Sequence, residues 1–220
     1  MSEPLLIYGN GQLAELSWAR FRRERRFEVV GFTVDREALD GATLCGLPVL
    51  PFDEIGQHHP PETVKLFVAV GPVRNNRIRA ERHLQARQMG YRFISYVSPH
   101  AVIDPETQIG ENCSIGDHVV IEYRVRIGDG VRIGSGTVIG HHCELGDHSF
   151  VGVNCTVLGS VQIGARVLVG AGAVIRDGVR LGDESIVGIG ATIVRDTAPD
   201  SVYAAPEAIR LPTSSRRIEL

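Results

Sequence analysis

From Val97 to Ala198 the chain repeats a six-residue unit without an insertion, and each unit opens with an aliphatic residue followed most often by Gly. The openers are Val97, Ile103, Ile109, Ile115, Ile121, Ile127, Ile133, Ile139, Leu145, Val151, Val157, Ile163, Val169, Ile175, Leu181, Val187 and Ile193. Four residues after each opener stands a small or β-branched residue, among them Cys113, Val131, Cys143, Cys155, Ala173 and Thr197. This period predicts a parallel β-helix of triangular section, in which each hexad is one short strand plus a corner and three hexads close a coil. The opener fills the narrow core, and the fifth residue points inward near a corner, where only a compact side chain fits. Gly at the second position suits a corner that needs positive φ or close backbone approach. Equivalent positions in successive coils then lie eighteen residues apart, which identifies surface neighbours.

The repeat claims 96–200, a tail follows over 201–220, and residues 1–95 must form something else. Leu5 to Tyr8 is an apolar run entering Gly9-Asn10-Gly11-Gln12-Leu13-Ala14 and then a helical stretch with Leu16, Trp18, Ala19 and Phe21. Further strands are expected over Val29–Val34, Leu66–Val70 and Phe93–Val97, with a helix over Arg74–Met89. This alternation implies a small parallel α/β sheet. Glycines in the first turn let the backbone and a helix N-terminus approach a phosphate, and Asp35, at the end of the second strand, can accept bonds from a ribose or a base. A dinucleotide fold needs about six strands. With four in view, the expectation is a Rossmann-like half-domain for a nucleotide-linked substrate.

The net charge of -3 carries no basic surplus for nucleic acid, and the arginines at 20, 22, 23, 25 and 26 read as a solvated helix end. No apolar stretch reaches the roughly 20 residues of a membrane span and no signal pattern opens the chain, so a soluble, cytoplasmic protein is expected. Cys113, Cys143 and Cys155 occupy inward slots and read as core thiols. No residue spacing suggests a metal site.

His141 and His142 are the third and fourth residues of their hexad, so both project outward. One coil on from His141 lies Gly159, in a hexad that carries Leu158 where Gly is usual. A bare glycine beside an outward histidine leaves room for a ligand.

At these residues the whole chain resembles the hexapeptide-repeat acyltransferases of the bacterial nucleotide-amino-sugar branch, which includes sialic-acid-type O-acetyltransferases and amino-sugar N-acetyltransferases. The resemblance rests on YGNGQLAEL, VVGFTVD, FVAVGPVRNNR, IGHHCELGD and the tail VYAAPEAIRL. It implies a homotrimer of left-handed β-helices with acyl-CoA, most simply acetyl-CoA, lying between neighbouring subunits, and a role in glycan such as lipopolysaccharide biosynthesis. His141 is then the base toward the acceptor amine, with His142 standing where the family commonly has an acidic residue. Phe150 stands where some relatives place a second histidine, with His148 two residues earlier. By family position Phe150, Gly159, Gly170, Ala171, Gly188 and Ile189 line the CoA arm, and Asn10, Gly11, Gln12, Asp35, Arg36 and Gly71 face the nucleotide sugar. The expected reaction is N-acylation of a nucleotide-linked amino sugar. The alternatives are O-acylation of a sugar hydroxyl, which demands a stronger base, and a nucleotide-sugar-binding trimer without turnover.

Overall fold

The structure, a computed structural model, describes residues 2–209, so the last part of the tail expected over 201–220 lies outside the described residues. The first unit is a six-stranded sheet in the order β3-β4-β2-β1-β5-β6. Its strands are β1 (Glu3–Tyr8), β2 (Phe27–Val34), β3 (Thr43–Leu44), β4 (Leu47–Pro51), β5 (Lys65–Val68) and β6 (Arg92–Phe93). All neighbours pair in parallel except β3 with β4. Helices α1 (Gln12–Glu24), α2 (Ile55–His58) and α3 (Arg77–Gln88) complete the unit.

Alternation along β1 explains the layering. Leu5 and Ile7 join Ala14 and Phe21 of α1 in one buried cluster, while Leu6 and Tyr8 join Ile55 of α2 and Ala86 of α3 in another. A strand buried on both faces must be apolar throughout, as Leu5–Tyr8 is.

Three expectations are corrected here. The sheet has six strands, because the hairpin β3–β4 was hidden among Gly41, Gly46, Pro48 and Pro51; strand count therefore gives no ground for a half-fold. The strand expected over Phe93–Val97 divides: β6 pairs with β5, whereas Tyr96–Val97 pairs with Ser114–Ile115 of the repeat. The helix expected from Arg74 begins at Arg77, because Arg74, Asn75 and Asn76 all take left-handed backbone conformations, with φ of 48°, 51° and 66°.

The repeat forms three parallel faces. Face 1 runs from Tyr96–Val97 to Val202–Tyr203 in seven strands, face 2 from Val102–Ile103 to Thr192–Ile193 in six, and face 3 from Gln108–Ile109 to Arg180–Leu181 in five. Every ladder steps by eighteen residues, as in Ile121↔Ile139 and Ile127↔Leu145, until the last strand of face 1. The openers and fifth-position residues form one continuous buried core. Cys113, Cys143 and Cys155 belong to it, their thiols donating to the carbonyls of Gly128, Leu158 and Gly170 at 3.1, 3.1 and 3.2 Å. This stacking fits a left-handed parallel β-helix.

The corner geometry separates two roles that the sequence left open. Positive φ falls on the fourth residue of the hexad, for example Gly130, His142 and His148. The second-position glycines serve close approach instead: a Cβ on Gly134 would meet the backbone of Gly152 and Val153 at 2.6 Å.

Candidate functional site

Each face delivers its chain to a corner, and third-position residues stack there. One corner carries Pro105, Tyr123, His141, Gly159, Asp177 and Arg195; a second carries Asp117, Ser135, Val153, Ala171 and Ile189; a third carries Glu111, Asp129, Asp147, Ala165 and Asp183, with His148 in its fourth-position column.

The third corner is covered by the first unit. Arg79 of α3 is fully buried there and donates to the carbonyls of Gly130 (3.1 Å), His148 (2.7 Å) and Val70 (3.2 Å). Asn76 Nδ2 reaches the Arg166 carbonyl at 3.3 Å and Asn75 Nδ2 the Glu184 carbonyl at 2.7 Å, so the left-handed turn before α3 exists to reach this corner. Asn is the side chain that tolerates that conformation best. Arg132, also buried, donates to the Val68 carbonyl. Burial without a carboxylate partner lowers Arg79 well below the usual guanidinium range and holds Arg132 at about 10. His148 packs against His83 with ring centres 5.2 Å apart, and its Nδ1 is buried without a partner among the described residues. Burial first, then the neighbouring His83 and Arg79, push its pKa down to about 3. His148 is thus a neutral interface group, and it does not stand in for a histidine at position 150.

The His141 corner is open. His141 and His142 are both exposed, and a groove of about 770 Å³ runs beside them, lined also by Asp104, Glu122 and Tyr123. The backbone of His141 is pinned on both sides: its N–H donates to Glu122 Oε2 at 3.0 Å, and its carbonyl accepts from Ser160 N at 2.8 Å. Its Nδ1 lies 3.2 Å from His142 Nδ1. A Cβ on Gly159 would meet His141 Cε1 at 2.5 Å and Nε2 at 2.7 Å, so the column predicted from the eighteen-residue spacing is the one observed.

The other sequence-selected residues fall into two groups. Asn10, Gly11, Gln12, Asp35 and Gly71 gather just beyond the C-terminal ends of the adjacent strands β2, β1 and β5. Gly9 enters this turn with φ of 128°, where a Cβ would press on the Ala69 carbonyl at 3.1 Å; Gly11 is the N-cap of α1 and leaves the first amides of that helix open. Asn10 is tied to Ala38 O at 2.8 Å, and Asp35 accepts two bonds from Arg82, at 3.0 and 2.8 Å. Arg82 also donates to Tyr8 Oη at 3.2 Å, and burial, with Asp35 beside it, pushes the Tyr8 phenol up to about 12. Arg36 is occupied by Asp53 and Glu54. Gly170, Ala171, Gly188 and Ile189 lie at the second corner, and Phe150 lies on face 1 next to it. A single chain therefore does not bring these residues to His141; face 2 separates the two corners.

Sequence reasoning passed over Arg79, His83, Arg82, Tyr123 and Glu122. The last two were accessible to it, since Tyr123 sits eighteen residues before His141 and Glu122 eighteen before Gly140.

Comparison with known proteins adds to this geometry. The family model described as the GMPPB C-terminal domain matches residues 97–187. No curated protein matches. Among solved structures, PerB from Caulobacter crescentus, in complex with CoA and GDP-perosamine, is 28% identical with a TM-score of 0.83 over 92% of this chain and 94% of that one. The fold is that of the β-helix sugar acetyltransferases. The acetyltransferase domain of PglB from Neisseria gonorrhoeae with acetyl coenzyme A (22% identity, TM-score 0.83, 93% and 97% covered) and WeeI from Acinetobacter baumannii (20%, 0.82, 93% and 97%) share it. A histidine-to-asparagine variant of the Caulobacter perosamine N-acetyltransferase is similar to the same degree. Among the described residues, no helix is long and apolar enough to cross a membrane and no group of His, Cys, Asp and Glu could hold a metal.

Proposed function

We propose that this chain is an acyl-CoA-dependent N-acyltransferase, in the simplest case an acetyltransferase, acting on the amine of a nucleotide-linked amino sugar. The observation that carries the reading is the exposed His141, its ring seated over Gly159 where a Cβ would clash, in a chain that matches over 92% of its length an enzyme solved with CoA and GDP-perosamine. The amine nitrogen attacks the thioester carbonyl, forming the C–N bond. His141 Nε2 takes a proton from that nitrogen, the tetrahedral intermediate collapses with cleavage of the C–S bond, and CoA leaves with its thiolate to be protonated. Backbone N–H groups along the stacked corners are suited to holding the developing oxyanion.

The nucleotide belongs, in this reading, at the C-terminal ends of β1, β2 and β5. Strand order β4-β2-β1-β5-β6 supports a Rossmann-like unit over 1–95, whose ligands lie where the order reverses, beside β1. The acyl-CoA arm is assigned to Gly159 and Phe150 with Gly170, Ala171, Gly188 and Ile189, which requires a second copy to supply one of the two corners. Face 2 supports that assembly. Its outward row is Val102, Val120, Val138, Thr156, Val174 and Thr192, without a charge, and Val102 is 66% exposed; face 3 instead presents Gln108, Arg126, Glu144, Gln162 and Arg180. An apolar strip of this length marks a contact surface. Face 2 is bordered by the His141 corner on one side and the Ile189 corner, 76% exposed at Ile189, on the other. Rotational packing through it, as in a homotrimer, sets one copy's His141 beside its neighbour's Ala171 and Ile189.

The test is CoA release from acetyl-CoA with a panel of nucleotide-linked amino sugars, followed by mass spectrometry of the product. Amide formation dependent on the amine supports the reading. Transfer to a hydroxyl of a sugar lacking the amine, or no transfer at all, contradicts it.

A further inference from the structure

We propose that His142 is a positioning residue that fixes the tautomer of His141, and that Tyr123 fixes His142 in turn. The inference rests on the acyl-transfer reading and deepens it. Two imidazole Nδ1 atoms 3.2 Å apart can share only one proton, so one nitrogen donates and the other accepts. If His141 Nδ1–H is the donor, its Nε2 keeps a lone pair on the exposed ring that Gly159 makes room for, where the substrate amine must lose a proton. The reverse arrangement places the proton on Nε2 and leaves no base there. A neutral imidazole can therefore do the orienting work of an acidic neighbour without adding a negative charge.

The backbone brings the two rings together. His142 has φ of 58°, its N–H donates to the Tyr123 carbonyl at 2.9 Å, and its ring meets His141 edge to face with centres 5.3 Å apart. From the preceding coil the Tyr123 ring packs on His142 in the same manner at 5.6 Å. Arg124 lies over the Tyr123 ring, 4.9 Å from its centre, and pairs with Glu106 at 3.0 Å. The charged groups facing the pair are Glu122, whose carboxylate is committed to the His141 backbone, Asp104 in the same groove, and the Arg124–Glu106 pair over Tyr123.

The experiment measures kcat, KM and pH profiles for native protein and for His142→Leu, His142→Asn, His142→Glu, Tyr123→Leu and the His142→Leu/Tyr123→Leu double variant, with thermal midpoints as the folding control. His142→Leu removes the acceptor and lowers kcat by on the order of a hundredfold, the lower end of what a positioned acid–base group contributes, with both KM values near native. His142→Asn keeps an acceptor, suits the left-handed backbone and recovers most of that loss. His142→Glu moves the acidic limb of kcat/KM to higher pH, because a carboxylate stabilises the His141 imidazolium. Tyr123→Leu lowers kcat several-fold in the native background and adds nothing to His142→Leu. Equal rates for His142→Leu and native, equal losses in the Leu and Asn variants, or an acidic limb unmoved by Glu each overturn the proposal. If native protein transfers no acyl group, the acyltransferase reading fails instead, and the two failures are told apart by that control.

Discussion

Two corners of one prism, built from the same repeat, hold histidines of opposite kinds. At the His148 corner the first unit lays α3 against the coils; Arg79, Asn75 and Asn76 engage the corner carbonyls, and the histidine is half-buried, packed on His83 and held neutral. At the His141 corner the ring is exposed among the described residues, and the neighbouring coil withdraws even its Cβ. The repeat supplies the scaffold at both. What covers a corner, and which hexad positions depart from the rule, decides whether that corner becomes an interface or stays open.

The contrast yields tests of decreasing expected size. His141→Asn should lower kcat by roughly two to four orders of magnitude with an unchanged thermal midpoint, since the side chain lies outside the core. A loss of about tenfold or less, measured in the same CoA-release assay, would reduce His141 to a group that merely orients an amine arriving already deprotonated. At the covered corner the effect should fall on stability. Arg79→Ala leaves a cavity and several corner carbonyls unpartnered, and should cost about 2–4 kcal/mol in denaturant unfolding; near-native stability would mean that the interface is held elsewhere.

A smaller effect is expected at Gly159, whose backbone is conformationally ordinary. Gly159→Ala should displace the His141 ring, the movable end of an exposed side chain, and depress kcat by on the order of tenfold or more without a change in thermal midpoint. Native kcat in that variant would put the reacting atoms elsewhere.

The smallest test uses pH. His148 has its folded pKa lowered to about 3 from 6.5, and burial also lowers His83. The unfolded chain therefore binds more protons between those values, and the stabilisation present above about pH 6.5 is lost as pH falls toward 3. His148→Leu should flatten the dependence of the thermal midpoint on pH across that window. An unchanged slope would show that His148 is not buried neutral.

Much of this contrast was legible before any coordinates. Inward and outward positions, the core cysteines and the His141–Gly159 adjacency all follow from a period of six and a coil of eighteen. One further sign was available. At the other two corners the second position is Gly in nearly every coil, whereas at the His141 corner it is Asp104, Glu122, Leu158, Arg176 and Val194, with Gly140 alone following the rule. The repeat is thus broken at the corner that carries the exposed histidine pair. The first unit was harder to read. Its β3–β4 hairpin is short and interrupted by proline, and the left-handed turn at Arg74–Asn76 is set by contacts with carbonyls 90 and 109 residues away, at Arg166 and Glu184. Nor does a periodicity reveal that Arg79 bonds only to backbone; that depends on which corner the first unit covers.

The central claim is that acyl transfer takes place at a site shared between copies, with His141 from one and the Ala171–Ile189 corner from the next. The most direct measurement is complementation between two defective chains, His141→Asn and Ala171→Trp, each inactive alone, unfolded and refolded together before assay. The account predicts that the mixture regains activity well above either parent, because some interfaces then pair an intact His141 with an intact Ala171 corner. A mixture of the two that assembles and yet stays as inactive as its components would contradict it.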